Sequence, residues 1–151
     1  MILSAQSIRQ RGIFTPFAER TKAFGMTYGL GPAGYDIRIR EDIILPVGMA
    51  SLASSLEQFN MPNDVLGKVA DKSTWARKFL AVQNTIIEPG WRGFLTLELS
   101  NHGAFEIELK AGMPIAQIIL HLLDEPTVQP YAGKYQDQKP GAVDAILEPA
   151  E

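Results

Sequence analysis

The stretch that most constrains this chain runs from Asn84 to Gly103. Pro89-Gly90 makes a sharp turn, because proline fixes φ and glycine tolerates positive φ. A strict alternation follows, with Leu95, Leu97 and Leu99 on one face and Phe94, Thr96, Glu98 and Ser100 on the other. One face must be core. The other offers a carboxylate and hydroxyls beside a turn that carries Glu88 and Trp91, and Asn101-His102-Gly103 closes the strand. We read the segment as a central hairpin, with the rest of the chain as scaffold, phosphate grip or lid.

Ser4 is placed to cap a short helix through about Arg11, ended by Gly12. Residues 13–34 hold two prolines and four glycines and read as a long irregular connection. From Ala33 to Arg40 the alternation returns, with Tyr35, Ile37 and Ile39 on one side and Asp36, Arg38 and Arg40 on the other. Short strands are expected at 43–46, 49–56, 65–70, 80–82, 105–109 and 115–123, with a polar loop or single helical turn at 71–78. Strands at this spacing, punctuated by Gly and Pro, indicate an all-β barrel or sandwich. From Asp124 the texture becomes polar and proline-rich, so the tail must lie on the barrel, reach a neighbouring subunit or stay mobile. This divides one domain, 1–151, into a helix and connection (1–34), a β core (35–123) and a C-terminal lid or tail (124–151).

Composition narrows the chemistry. A chain of 151 residues, 46% hydrophobic and 21% charged, is an ordinary globular protein that can bury a single core. Net charge −3 and a pI near 5.4 argue against a nucleic-acid backbone partner, though a few local cations suffice for a small anion. There is no cysteine, and His102 and His121 are the only histidines, so a His/Cys/Cys zinc deaminase centre cannot be assembled. The N-terminal residues lack the pattern of a signal peptide and no stretch has the length of a membrane span; a cytoplasmic location and no membrane partner are the expectations.

Taken singly, the candidate residues are ambiguous. Glu98 on a polar strand face is ordinarily solvated surface. Glu88 before Pro-Gly is ordinarily a turn residue, and Trp91 a core or rim aromatic. Lys72-Ser73-Thr74 with Arg77 and Lys78 combines cations with hydroxyl donors suited to phosphate, but lacks the glycines of a Walker loop. Tyr131, Lys134, Tyr135 and Gln138 fit either an unremarkable tail or a polyphosphate lid.

Their order along the chain adds information. Residues 33–38, Ala-Gly-Tyr-Asp-Ile-Arg, look like the first motif of trimeric dUTPases. Residues 73–77 are similar to the Ser-Ser-x-Ala-Arg segment of dCTP deaminases. Residues 87–93, Ile-Glu-Pro-Gly-Trp-Arg-Gly, match the deaminase Ile-Asp-Pro-Gly-Trp-x-Gly segment, residues 112–117 resemble the fourth dUTPase motif, and residues 134–143 look like the deaminase C-terminal lid. The chain therefore resembles the dCTP deaminase/dUTPase superfamily, and most of all the zinc-independent dCTP deaminases.

The resemblance implies a distorted β-barrel or jelly-roll-like subunit that forms a homotrimer with shared active sites, taking a deoxyribonucleoside triphosphate with Mg²⁺ carried mainly by the phosphates. It implies Glu98 as the catalytic acid–base group, with Ser73 and Arg77 holding and polarising water and base. Substrate contacts then fall to Lys72, Thr74, Asn84, Glu88, Trp91, Gln117, Tyr131, Lys134, Tyr135 and Gln138. The expected activity is deamination of dCTP to dUTP, with cleavage to dUMP and pyrophosphate as a further step; the alternative is a dUTPase without deaminase activity. Some positions depart from the pattern. Lys72 stands where deaminases usually carry Arg, Trp75 replaces a smaller aliphatic residue, and Glu88 replaces Asp. Asn84 lies near the position that reads the pyrimidine edge, but an amide presents either a donor or an acceptor and does not choose between cytosine and uracil.

Overall fold

The computed structural model describes residues 1–150; Glu151, the end of the expected tail, lies outside the described residues. Helix α1 (Ala5–Arg11) ends at Gly12, whose φ of 62° only glycine adopts readily. Ser4 occupies the N-cap position but does not cap with its side chain. Its hydroxyl faces Ser7 at 3.4 Å, and the Ala5 N–H is taken by the Pro32 carbonyl instead.

Residues 13–34 are more ordered than their composition implies. They form β1 (Phe14–Thr15), β2 (Thr21–Ala23) and β3 (Met26–Gly31), followed by β4 (Gly34–Arg38) and β5 (Ile43–Leu45). The expected short strand at 49–56 is the start of an eleven-residue strand, β6 (Ala50–Asn60). Then come β7 (Val65–Asp71), α2 (Ser73–Ala76), β8 (Leu80–Val82), β9 (Ile86–Ile87), β10 (Arg92–Asn101), β11 (Ile107–Leu109) and β12 (Pro114–Leu122). Six strands form one sheet in the order β2-β3-β4-β12-β7-β9, four form a second in the order β1-β6-β10-β8, and β11 pairs with β5.

The expected central hairpin does not form. β9 pairs with β7 in the six-stranded sheet, whereas β10 pairs with β6 and β8 in the other. Pro89-Gly90 is thus a crossing between sheets, closed by Trp91 N–H on the Glu88 carbonyl at 3.1 Å. The alternation in β10 holds throughout: Leu95, Leu97 and Leu99 are buried, Thr96, Glu98 and Ser100 half-buried.

The core between the sheets is linked by aromatics. Phe14 stacks on Tyr35 with ring centroids 4.0 Å apart, meets Phe59 edge-on at 5.1 Å, and Phe59 meets Trp91 at 5.9 Å. One irregularity sets the site. Between Phe94 and Thr96 the β6–β10 register shifts, and Ser55 to Glu57 bulge opposite Leu95. Side chains bind the bulge: Leu95 N–H donates to the Ser55 hydroxyl at 2.8 Å, and Arg40 donates to the Ser55 and Leu56 carbonyls. Buried Glu57 accepts the Arg38 backbone N–H and guanidinium at 2.9 and 2.8 Å. These bonds let the bulge persist in the interior, and regular pairing resumes at Thr96 opposite Ser54 and carries on through Glu98 opposite Leu52.

Candidate active site

Glu98 lies in a cleft of about 370 Å³ that also receives Glu88, Trp91, Tyr131, Tyr135 and Gln138, with an otherwise largely apolar lining that includes Leu52, Ile87 and Val143. Six of the expected site residues therefore meet. Burial pushes the Glu98 carboxyl above its ordinary value, its own backbone N–H opposing the shift. A carboxyl raised by an apolar wall is a better proton acceptor than a solvated one, as acid–base work requires.

Trp91 is a core aromatic, 5% exposed, that also organises the tail: its indole N–H donates to the Tyr135 carbonyl at 2.6 Å. Tyr131 N–H bonds the Pro89 carbonyl, and Gln136 donates to the Gly90 carbonyl at 2.9 Å. Phe94 N–H reaches the Gln138 carbonyl at 3.0 Å. This contact depends on Gly93, with φ 144°, since a Cβ there would stand 2.6 Å from the Gln138 nitrogen. The Gly of Pro-Gly-Trp-Arg-Gly is thus where the tail crosses β10. Of the fates open to the tail, it lies on its own barrel. Lys134 is the member of the expected lid that does not line the cleft; its ammonium pairs with Glu148 at 3.3 Å.

The remaining site residues lie elsewhere. Lys72, Ser73 and Gln117 line a second, polar cleft with Asp36, where Lys72 and Asp36 form a largely buried ion pair of 2.6 Å. Thr74 and Arg77 face a third cleft among Phe24, Phe79 and Phe105. Asn84 lines none of the three, and the Glu98 cleft shares no residue with the other two. Within one chain, then, Ser73 and Arg77 are not brought to Glu98. The Trp75 departure has a local cause: its buried indole donates to the Pro114 carbonyl at 2.7 Å, fastening α2 to the start of β12.

Thr96 lines the Glu98 cleft and is absent from the expected site residues. It sits two residues before Glu98 on the same face, and its hydroxyl accepts the Val143 N–H at 3.1 Å. The alternation alone marked it as facing the same way as Glu98. Arg20 and Tyr28, in the polar cleft, carried no such signal, because they fall in the segment read as irregular.

A family model for dCTP deaminase-like proteins matches residues 33–123, and this chain belongs to that family. The dCTP deaminase of Campylobacter hominis is 34% identical over 95% of this chain and 92% of its own length, and that of Thermococcus sibiricus is 32% identical over 90% and 92%. Among solved structures, the EIAV dUTPase superposes with a TM-score of 0.59 at 24% identity, covering 81% of this chain and 97% of that one. The Staphylococcus bacteriophage 80alpha dUTPase gives 0.58 at 15%, covering 79% and 92%. The fold is the β-rich dUTPase fold. A structural Mg(II) ion is described for a further neighbour, the dUTPase of S. aureus phage phi11. No helix among the described residues is long and apolar enough to cross a membrane.

Proposed function

We propose that this protein hydrolyses dCTP to dUTP and ammonia, with Glu98 as the proton carrier. The observation that supports it is a carboxyl lifted by burial on the one strand that also presents Thr96 to the tail, inside a cleft the size of a small ligand. Glu98 takes a proton from water as the oxygen adds to C4 of cytosine, then returns it to the amino group as the C4–N bond breaks. Ammonia leaves, the remaining hydroxyl proton passes to N3, and a C4 carbonyl remains. Trp91 and Leu52 keep bulk water from the reacting carbon, and Gln138 offers an amide to the base.

The separation of Ser73 and Arg77 from Glu98 supports a site completed between subunits of a homotrimer. In that assembly Ser73 and Arg77 of one subunit polarise water and base at Glu98 of another, and Lys72, Thr74 and Gln117 grip the triphosphate. A Mg²⁺ ion would enter with the substrate's phosphates, whose oxygens are its natural ligands. That ion would supply charge neutralisation, and Asp36 or Glu88 would help hold its water or orient the water of a subsequent diphosphate cleavage. The paired assay, with Mg²⁺ present, decides: ammonia from dCTP is the expected result, and pyrophosphate from dUTP with no ammonia from dCTP would establish the dUTPase alternative.

The raised Glu98 pKa also has a signed consequence for stability. A group whose pKa rises on folding contributes stability that is full below its unfolded pKa and is lost as pH climbs through the folded one. Glu98→Gln should therefore raise the thermal midpoint at pH 7, with the gap closing below about pH 4. The acid limb of kcat/KM should likewise lie above the ordinary glutamate value. A midpoint that does not change, or falls, at pH 7 would show that the carboxylate is not held against its preference.

A further inference from the structure

The polar cleft contains a cation, Arg20, that has no part in the proposed deamination. Arg20 lines it together with Asp36, Asp71, Lys72, Ser73 and Gln117. Each of the other charged groups there is engaged. Lys72 and Asp36 hold one another at 2.6 Å, and Asp71 accepts the Val82 N–H at 2.8 Å. Among the described residues the exposed Arg20 guanidinium has neither an ion-pair nor a hydrogen-bond partner.

The backbone beneath it is tightly held. On the N-terminal side, Ala18 N–H donates to the Tyr35 hydroxyl at 2.9 Å, and the Ala18 carbonyl accepts Leu30 N–H at 3.0 Å. The Glu19 carbonyl accepts the Thr21 hydroxyl at 2.7 Å, and Thr21 pairs with Tyr28 in the β2–β3 ladder. Gly29 allows this approach, since a Cβ there would stand 2.5 Å from the Glu19 carbonyl oxygen. The adjacent carboxylate is also turned away, as Glu19 pairs with Arg9 at 2.7 and 3.0 Å. Arg20 is thus a cation on a fixed stalk, and its neighbour does not neutralise it.

Charge decides what this means for a polyanion. With Arg20 the two cations and two carboxylates of the cleft cancel. Without it the cleft would carry a net negative charge and repel phosphate. Lys72 is committed to Asp36 and offers a point charge rather than a fork. We propose that Arg20 binds the terminal phosphates of the nucleoside triphosphate, supplying the bidentate guanidinium contact that Lys72 does not, and so selects triphosphates over monophosphates. The assignment rests on the proposed nucleotide site, but the anion contact is testable apart from the reaction.

The test is calorimetric titration with inorganic tripolyphosphate, dCTP and dCMP, each with Mg²⁺, on the parent, Arg20→Ala, Arg20→Lys and, as a control for surface charge loss, Lys110→Ala, an exposed cation that pairs with Glu108 and does not line the cleft. Loss of a charge-assisted bidentate contact should weaken dCTP and tripolyphosphate by roughly 10- to 100-fold in Arg20→Ala and leave dCMP within about twofold. Arg20→Lys should recover part of the loss, and Lys110→Ala should match the parent. Arg20→Ala binding dCTP as the parent does, or losing dCMP and dCTP equally, would overturn the proposal. If the parent holds tripolyphosphate through Arg20 yet releases no ammonia from dCTP, the deaminase reading fails and the phosphate contact stands.

Discussion

Glu98→Gln is expected to bring ammonia release from dCTP down by about 10²- to 10⁴-fold, the range that removal of a positioned general acid–base costs. Affinity for dCTP should remain within a few-fold of the parent, because the amide keeps the shape and hydrogen-bonding reach of the carboxyl but cannot accept and return a proton. The substitution is conformationally mild. Glu98 projects from a regular part of β10, beyond the bulge, and its backbone bonds to β6 and to Gln83 do not involve the side chain. Ammonia release and nucleotide titration on the same preparation check the two halves. Deamination at the parental rate would remove Glu98 from the chemistry. A selective loss of pyrophosphate release from dUTP would shift the assignment to the dUTPase reaction.

The second large effect is expected from the tail, which the structure divides in two. Residues 130–138 are fastened along β10 through Trp91, Gly90 and Phe94, with Arg92 and Asp137 adding an exposed ion pair. Residues beyond Gln138 cover the cleft more lightly: Val143 bonds Thr96, Ile146 N–H donates to the Tyr135 hydroxyl at 2.9 Å, and Val143 and Ala145 line the cavity. A chain ending at Gln138 should keep its thermal midpoint within about 2–3 °C, since few buried contacts are lost, yet turn over at least tenfold more slowly because water enters the site. A chain ending at Val128 also strips the cover from Trp91 and leaves the Phe94 N–H and the Gly90 carbonyl without partners, so it should lose stability as well. Equal activity of the shorter cut and the parent would refute a lid. Dissociation of an oligomer on the shorter cut would make the segment a strap between subunits instead.

The strength of local pattern explains why much of this was legible from residue order. Period-two alternation identifies the faces of β4 and β10, because side chains must alternate across a pleat wherever one face is buried. It therefore located Glu98 on the face away from the core. Residues 13–34 lack such a pattern for the converse reason. β1 and β2 are two and three residues long, too short to show a period, and Gly29 sits in β3 because another backbone presses against it.

Residue types and their order determined a β-rich domain, a polar strand face carrying Glu98, the turn at Pro89-Gly90 and a tail with no core of its own. Partner choice was decided only by the tertiary structure. A turn between two strand-like segments reads the same whether they pair with each other or with different sheets, and here β9 found β7 while β10 found β6 and β8. Distance was decided there too. Ser73 and Arg77 are ordered along the chain as the family's motifs are, yet their clefts share no residue with that of Glu98, while Arg20 joins Ser73 and Gln117 across most of the sequence. Sequence fixes local geometry through φ, ψ and side-chain period; which segments meet depends on the non-local burial of the whole core, and no short window contains it.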